Sequence, residues 1–399
     1  MVKVQKKIDE ILTRRVEQIL PSKEKLKDLM LKRKIKVYWG IDPTSPNLHL
    51  GHLITLKKLK EFQELGHKVI LLIGDFTAQI GDPSGRDVVR KPLTKEQVKE
   101  NLKGYKRQIS KILDISKLEI VFNSKWLSKL KFEDILKLAS HFTVQRMLER
   151  DFFQRRLKKG NPIWIHEFLY PLMQGYDSVA LNVDLEIGGS DQLFNMLCGR
   201  ELMKIFKKKE KFVLTTPLLL GLDGRKMSKT FQNTVNFEDD PNEMYGKIMS
   251  MKDELIIDYF KLCTDLPLNE IEEMEGSLKR KKVNPRDLKA KLAKEIVKIF
   301  YGERKAQKAQ REFERVFKEK KLPSKIPQME IKEEELPILD LLVKTKLAKS
   351  KSEAKRLILQ GGVKINKKAK KNWREKIKIE DGLIIQVGKK RFIKIKKSN

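Results

Sequence analysis

The chain of 399 residues is too long for one ordinary domain, and an allowance of about 150 residues per domain predicts two or three. Hydrophobic residues make up 40% and charged residues 35%; apolar runs such as 69–74 (VILLIG) stop short of the ~20 residues a membrane-spanning helix needs, and the N-terminus lacks the apolar stretch of a secretory signal, so no membrane and a cytoplasmic location are expected. Lys and Arg number 87 against 54 Asp and Glu, a net charge of +33, which makes a polyanion the expected partner unless the excess is only a lysine-rich, thermophile-like surface.

In chain order, residues 36–41 (KVYWGI) and 68–74 (KVILLIG) read as buried strands. Between them LHLGHLITLKKLKEFQELG, with helical apolar spacing and a closing Gly66, reads as a helix, completing a βαβ unit. Strand-like runs at 118–123 and 212–220 extend the pattern into an α/β fold with a parallel sheet, whose ligands, usually nucleotides, sit at the strand ends. From residue 237 to 322 the texture becomes charged and helix-periodic, predicting a helical domain. Pro323, Pro327 and Pro337 interrupt a charged stretch, so 323–336 reads as a linker. The last 63 residues, 337–399, hold 20 Lys/Arg against 5 Asp/Glu, a net charge of +15. Cys198 and Cys263 form no C-x-x-C pair, so neither a disulfide framework nor a zinc cluster is expected.

Two motifs carry chemistry. Pro46 to His52 (PNLHLGH) lies where a strand gives way to a helix; His49 and His52 share a helix face, Gly51 admits a ligand to the backbone, and the helix N-terminus offers N–H groups to an anion. The alternative is a pair of histidines that merely cap and pack; a zinc site lacks a third ligand nearby. Gly224 to Thr230 (GRKMSKT) sets Lys226, Ser228 and Lys229 on a loop able to close over a polyphosphate, or else is an ordinary basic loop. No Walker sequence occurs.

In this order, about 175 residues apart, the two motifs resemble the HIGH and KMSKS signatures of class I aminoacyl-tRNA synthetases. The surrounding segments VYWGIDPTSPNLHLGH (37–52), IGDPSG (80–85), YPLMQGYDSVAL (170–181) and LEIGGSDQ (185–192) resemble the tyrosyl-tRNA synthetases, and the likeness spans essentially the whole chain. The resemblance implies a Rossmann-like catalytic domain over 1–236, an α-helical anticodon-binding domain over 237–322 and, after the linker, a small α+β RNA-binding domain of the S-four type over 337–399. In that last segment Leu347, Ala354, Leu357, Ile358, Val363 and Ile365 interleave the charges as a small core would.

The resemblance also implies residue roles. Tyr38 and Asp177 match positions that bind the tyrosine phenol hydroxyl, a role their own hydroxyl and carboxylate suit, although singly they also read as a core strand residue and a solvated helix charge. Asp82, Tyr170 and Gln174 match positions holding the α-ammonium, with Asp42 near the same amine and Gln192 in the tyrosine pocket. Gly189 and Asp191 match the ribose site. Gly40, Gly51, Ser228 and Lys229 belong to the ATP site, with Arg86 and Arg90 toward pyrophosphate. His49, His52, Thr44, Lys226 and Lys229, with Mg²⁺, would stabilise charge on the departing pyrophosphate while the ionised tyrosine carboxylate attacks the α-phosphorus of ATP without a general base. No protein metal site is implied, and tRNA(Tyr), L-tyrosine and a second copy of the chain are the implied partners. Glu186, where many members carry Gln, and Trp39, where others have a small residue, depart from the pattern. A tryptophanyl-tRNA synthetase is the nearest rival, and a non-catalytic RNA-binding relic the rival from another class.

Overall fold

The computed structural model describes residues 2–84, 92–228, 231–319, 322, 326–388 and 391–397. The chain divides into two compact units, 1–309 and 310–399.

The first unit is built on a six-stranded sheet: β1 (Gln18–Leu20), β2 (Lys36–Ile41), β3 (Lys68–Ile73), β4 (Leu118–Phe122), β5 (Leu185–Gly189) and β6 (Phe212–Thr216), in the spatial order β1-β6-β5-β2-β3-β4. All neighbours are parallel except the short β1, which runs antiparallel to β6. The apolar runs of β2, β3 and β6 are buried nearly end to end, as strands covered on both faces must be. From β2 the chain winds outward through β3 to β4, then returns to place β5 and β6 on the other side. The β2/β5 boundary is therefore the topological switch point, where crevices for ligands open at the carboxyl ends of the strands.

Three helices frame that point: α1 (Leu50–Glu64) after β2, α2 (Ile165–Leu181) before β5, and α3 (Leu193–Lys207) after it. Where α2 meets α3 the close approach requires glycine, because a Cβ on Gly175 would lie 3.0 Å from the Gly199 nitrogen and 3.2 Å from the Cys198 carbonyl carbon. Beyond β6 follow α4 (Pro241–Met249), α5 (Ile256–Cys263), α6 (Leu268–Lys279) and α7 (Pro285–Tyr301), the helical run expected from residue 237. The strand expected over 212–220 ends at Thr216, since Pro217 has no N–H to continue the ladder.

The second unit contains a five-stranded sheet in the order β10-β9-β12-β13-β7 and a β8–β11 pair. Its strands are β7 (Gln328–Ile331), β8 (Glu335–Pro337), β9 (Val363–Ile365), β10 (Lys368–Ala369), β11 (Lys376–Lys378), β12 (Ile384–Val387) and β13 (Arg391–Lys397), with α8 (Ile338–Lys344) and α9 (Lys351–Leu359) between β8 and β9. Leu347, Ala354, Ile358, Val363 and Ile365 are buried in its core, with Leu357 packed at the margin. In β13 Ile393 and Ile395 are buried while Lys394 and Lys396 alternate with them, the period-two pattern of a half-buried strand. The stretch 323–336, expected as a linker, instead contains β7 and part of β8. Its prolines stand outside β7, and the Met329 and Ile331 side chains reach the core from an edge strand parallel to β13.

Replacing Gly175 by Ala should destabilise the protein by about 1–3 kcal/mol through overpacking against backbone. Gly246→Ala in α4, where an added Cβ meets nothing within 4 Å, should be neutral or stabilising by up to about 1 kcal/mol. Urea unfolding of both variants measures the contrast, and similar losses at the two sites would refute the packing account.

Candidate active site

The loop after β2 turns into α1 through a cap made by two histidines. His49, in extended conformation, accepts at Nδ1 from the Gly51 N–H (3.2 Å), and His52 Nδ1 accepts from the His49 N–H (3.1 Å). Their rings lie 4.0 Å apart, and each imidazole, accepting at Nδ1, carries its proton at Nε2 when neutral. Gly51 packs tightly here, since a Cβ would stand 3.0 Å from the His49 ring.

The loop that bears Lys226 is stitched to this cap. Leu50 N–H donates to Val235 O (3.0 Å) and Phe237 N–H to Leu48 O (2.9 Å), so the chain leaving the loop runs alongside the start of α1. Asn233 organises the loop itself: its side chain accepts from Ser228 N–H (2.8 Å) and donates to Asp223 (2.8 Å) and to Lys226 O (3.1 Å). The Asn233 contact, joined by Arg225, holds the Asp223 carboxyl at about 2. Met227 is buried, with its sulfur 3.6 Å from the point a Gly51 Cβ would occupy. Lys226 Nζ lies 3.5 Å from Asp191 beyond the end of β5, where burial pushes the Asp191 carboxyl up and Lys226 opposes it. A Cβ on Gly189 would meet the Asp191 carboxylate at 2.8 Å. The two histidines, Lys226, Ser228, Gly189 and Asp191 thus gather at the carboxyl ends of β2 and β5. Thr44 is half-buried in the loop leading to His49, and Gly40 closes β2 against Leu72. Arg86, Arg90 and Lys229 lie outside the described residues.

Deeper in the sheet two polar networks run. In one, Tyr170 O–H donates to Asp42 (2.9 Å), which also accepts from Thr77 O–H (2.7 Å). Asn123 donates to Thr77 (3.0 Å) and to Asp177 (3.3 Å), and Trp126 Nε1–H donates to Asp177 (2.7 Å). Asp177 is 1% exposed, which replaces the solvated-charge alternative with an interior carboxylate; burial raises it well above the usual carboxylate range while Trp126 and Asn123 oppose. In the other network, Gln192 donates to Asp82 (2.8 Å), and Asn195 donates to Gln192 (3.1 Å) and Gln174 (3.0 Å). Gln174 in turn donates to Glu186 (3.1 Å). Tyr38, 0% exposed and directly opposite Glu186 in the β2/β5 register, shares a 2.8 Å hydrogen bond with Ser178. Burial, with Glu186 and Asp177 nearby, raises its phenol well above the ordinary value.

Every described residue expected at the site therefore lies near the switch point. Tyr170 donates to Asp42, expected near the same amine, while Tyr38 bonds Ser178 and Asp177 accepts from Trp126 and Asn123. The linking residues Thr77, Asn123, Trp126, Ser178, Asn195 and Lys211 escaped the sequence reading, and Glu186 figured there only as a variant. Each is an ordinary polar residue locally, and nothing but spatial convergence marks it.

The model of class I tRNA synthetases (W and Y) matches residues 30–318, and that of the tyrosine-tRNA ligase SYY-like C-terminal domain matches 318–395. The tyrosine-tRNA ligase of Thermotoga maritima is 50% identical over 386 residues, covering 96% of both chains, and that of Carboxydothermus hydrogenoformans 48% over 397 residues, covering 97% of both. Among solved structures, tyrosyl-tRNA synthetase from Archaeoglobus fulgidus complexed with L-tyrosine superposes with a TM-score of 0.62 at 26% identity, covering 77% of this chain and 99% of that one. The fold is that of a class I aminoacyl-tRNA synthetase. Within that class the chain belongs to the tyrosine-tRNA ligases, which activate tyrosine with ATP and transfer it to tRNA.

His49→Asn keeps an acceptor at the cap of α1 and should unfold within about 0.5 kcal/mol of the parent, whereas His49→Ala should lose about 1 kcal/mol. Equal losses on urea unfolding would show that the Nδ1 contact does not cap the helix.

Proposed function

We propose that the two interior networks form the tyrosine pocket and that the rim built by His49, His52, Lys226 and Asp191 handles ATP. The observation that carries this reading is the stitching of 48–50 to 235–237, which brings both motifs to the switch point where β5 presents Gly189. In the pocket, Tyr38 and Asp177 face the substrate phenol. Asp42, Asp82, Tyr170, Gln174 and Gln192 supply the acceptors that an α-ammonium needs. The tyrosine carboxylate is ionised at neutral pH and needs no base to attack the α-phosphorus. The protein's work is then to position the reactants and to stabilise the pyrophosphate that leaves. The Nε2–H groups of His49 and His52, Thr44, Ser228, Gly40, Gly51 and the ammonium of Lys226 serve that charge. Lys229, Arg86 and Arg90 join them by their match to the family. Gly189 and Asp191 take the ribose.

Mg²⁺ enters as part of the MgATP substrate, held chiefly by phosphate oxygens as this ion prefers. The helical segment 237–322 and the basic segment 337–399 hold tRNA(Tyr), the latter through phosphate contacts that its +15 charge favours. The exposed apolar side chains Phe132, Leu136, Val144, Trp164 and Ile165 suit coverage by a second copy, a homodimer. No described helix is long and apolar enough to cross a membrane, and a cytoplasmic site of action follows from the role in translation.

ATP-pyrophosphate exchange tests the pocket directly. Exchange is expected with tyrosine and not with tryptophan, and Tyr38→Phe should narrow the preference for tyrosine over phenylalanine by about tenfold to a hundredfold, as loss of one buried partner does. Unchanged discrimination would remove Tyr38 from the pocket. His52→Ala and Lys226→Ala should lower kcat for exchange at least tenfold with little change in tyrosine KM; an equal loss in both constants would contradict the assignment of the rim. Removing residues 323–399 should spare exchange and impair tRNA charging, and charging that survives at physiological salt would sink the RNA-binding role.

A further inference from the structure

The roles above leave unused a buried ion pair that borders the networks of the site. Lys211, the residue before β6, is 0% exposed, and its ammonium has three donors for three acceptors: Glu186 Oε2, Ser178 Oγ at 2.9 Å and Met196 O at 3.1 Å. The packing around it is built for this placement. A Cβ on Gly199 of α3 would fall 2.6 Å from Lys211 Nζ and 2.8 Å from Ser178 Oγ. Two charges so deep cost more than they gain unless their remaining hydrogen-bonding positions are filled, and the other Glu186 oxygen is filled by Gln174 Nε2.

That last contact has a direction. An ionised carboxylate only accepts, so Gln174 must present its NH₂ to Glu186 and turn its carbonyl the other way, where Asn195 donates to it. Gln192 is polarised alike, its NH₂ on Asp82 and its carbonyl on Asn195. The carbonyl, not the NH₂, is what a substrate ammonium requires of Gln174.

We propose that Lys211 is a positioning residue for tyrosine: by neutralising Glu186 in the interior it keeps that carboxylate an acceptor, and thereby holds the Gln174 carbonyl toward the substrate ammonium. The inference rests on the reading above that Gln174 accepts from that ammonium. Lys211 is the one cation recorded in contact with Glu186 among the described residues; the other groups that face the pair are Tyr38 of β2, Asp177 and Ser178 of α2, and Cys198 of α3. With the cation gone, a carboxyl in that setting binds a proton and becomes a donor. Gln174 then reverses to accept from it and offers its NH₂ to the ammonium, donor against donor.

The test is the tyrosine KM in ATP-pyrophosphate exchange as a function of pH. Lys211→Met should raise KM about tenfold near pH 6.5 with kcat within about threefold of the parent, and KM should fall back toward about pH 8.5 as the carboxyl loses its proton. Glu186→Gln alone should raise KM throughout the range, because its amide oxygen turns to Lys211 and its NH₂ to Gln174. The double variant K211M/E186Q frees that amide to donate to Ser178 and Met196 and to accept from Gln174, so KM should return to within about threefold of the parent without pH dependence. Gln174→Ala is measured alongside. If it leaves KM unchanged, the assignment of Gln174 fails and the inference with it. If it raises KM while Lys211→Met does not, or if the single-variant defects persist in the double, Lys211 merely packs and the inference alone is overturned. Should Lys211→Met not fold, Glu186→Gln against the double variant decides the matter by itself, equal KM values overturning it.

Discussion

Because β2 is hydrogen-bonded to β3 on one side and to β5 on the other, the chain must wind away from it in both directions, and the turns that follow β2 and β5 open a crevice between them. Everything chemical in the first unit depends on that arrangement. It puts the start of α1 beside the Gly188–Gly189 end of β5, and it sets Tyr38 opposite Glu186 in the register. A one-residue slip of β2 would move Tyr38 to the other face of the sheet and away from Ser178.

The distribution of charge follows the chemistry rather than the composition. Against a net charge of +33, Asp42, Asp82, Asp177 and Glu186 stand in the two interior networks, while Lys226, opposite Asp191, is exposed. An ammonium needs acceptors and a triphosphate needs donors, and the proposed function makes use of that division. Much of the remaining excess is carried by the second unit, where Ile393 and Ile395 of β13 turn inward and Lys394 and Lys396 alternate with them.

The far end of α1 is anchored as firmly as its start. Arg15 donates to Glu61, to Asp265 and to the carbonyls of Leu262 and Thr264, while Lys57 reaches Asp265. Lys58 reaches Glu61 and the carbonyls of Ile11 and Arg14, and burial lowers it to about 8. The cations outnumber the acids here and are balanced by backbone carbonyls, among them those at the end of α5, where the partial negative charge of a helix terminus favours them. The N-terminal segment, α1 and the 262–265 turn are thereby tied together, so that the helix bearing His49 and His52 has a fixed seat.

Much of this was legible in the amino-acid order. Buried apolar runs identify β2 and β3, and the interleaved Leu347, Ala354, Ile358 and Val363 reveal a folded tail, because each is a local periodic pattern; the HLGH and KMSKT motifs, which singly also read as a histidine cap and a basic loop, point to the reaction through their resemblance to a family. The prolines of 323–336 misled for the same local reason: they break helices but do not prevent an edge strand such as β7, whose partner β13 lies more than fifty residues away. Pairing was beyond the sequence altogether. That Tyr170 meets Asp42, that Asn195 joins Gln174 to Gln192, and that Lys211 finds Glu186 depends on α2, α3, β5 and β6 being packed together, since a side-chain hydrogen bond reaches about 3 Å while the residues it joins lie tens of positions apart. The chain order by itself determined which groups the site could use; only the tertiary structure decided which of them touch.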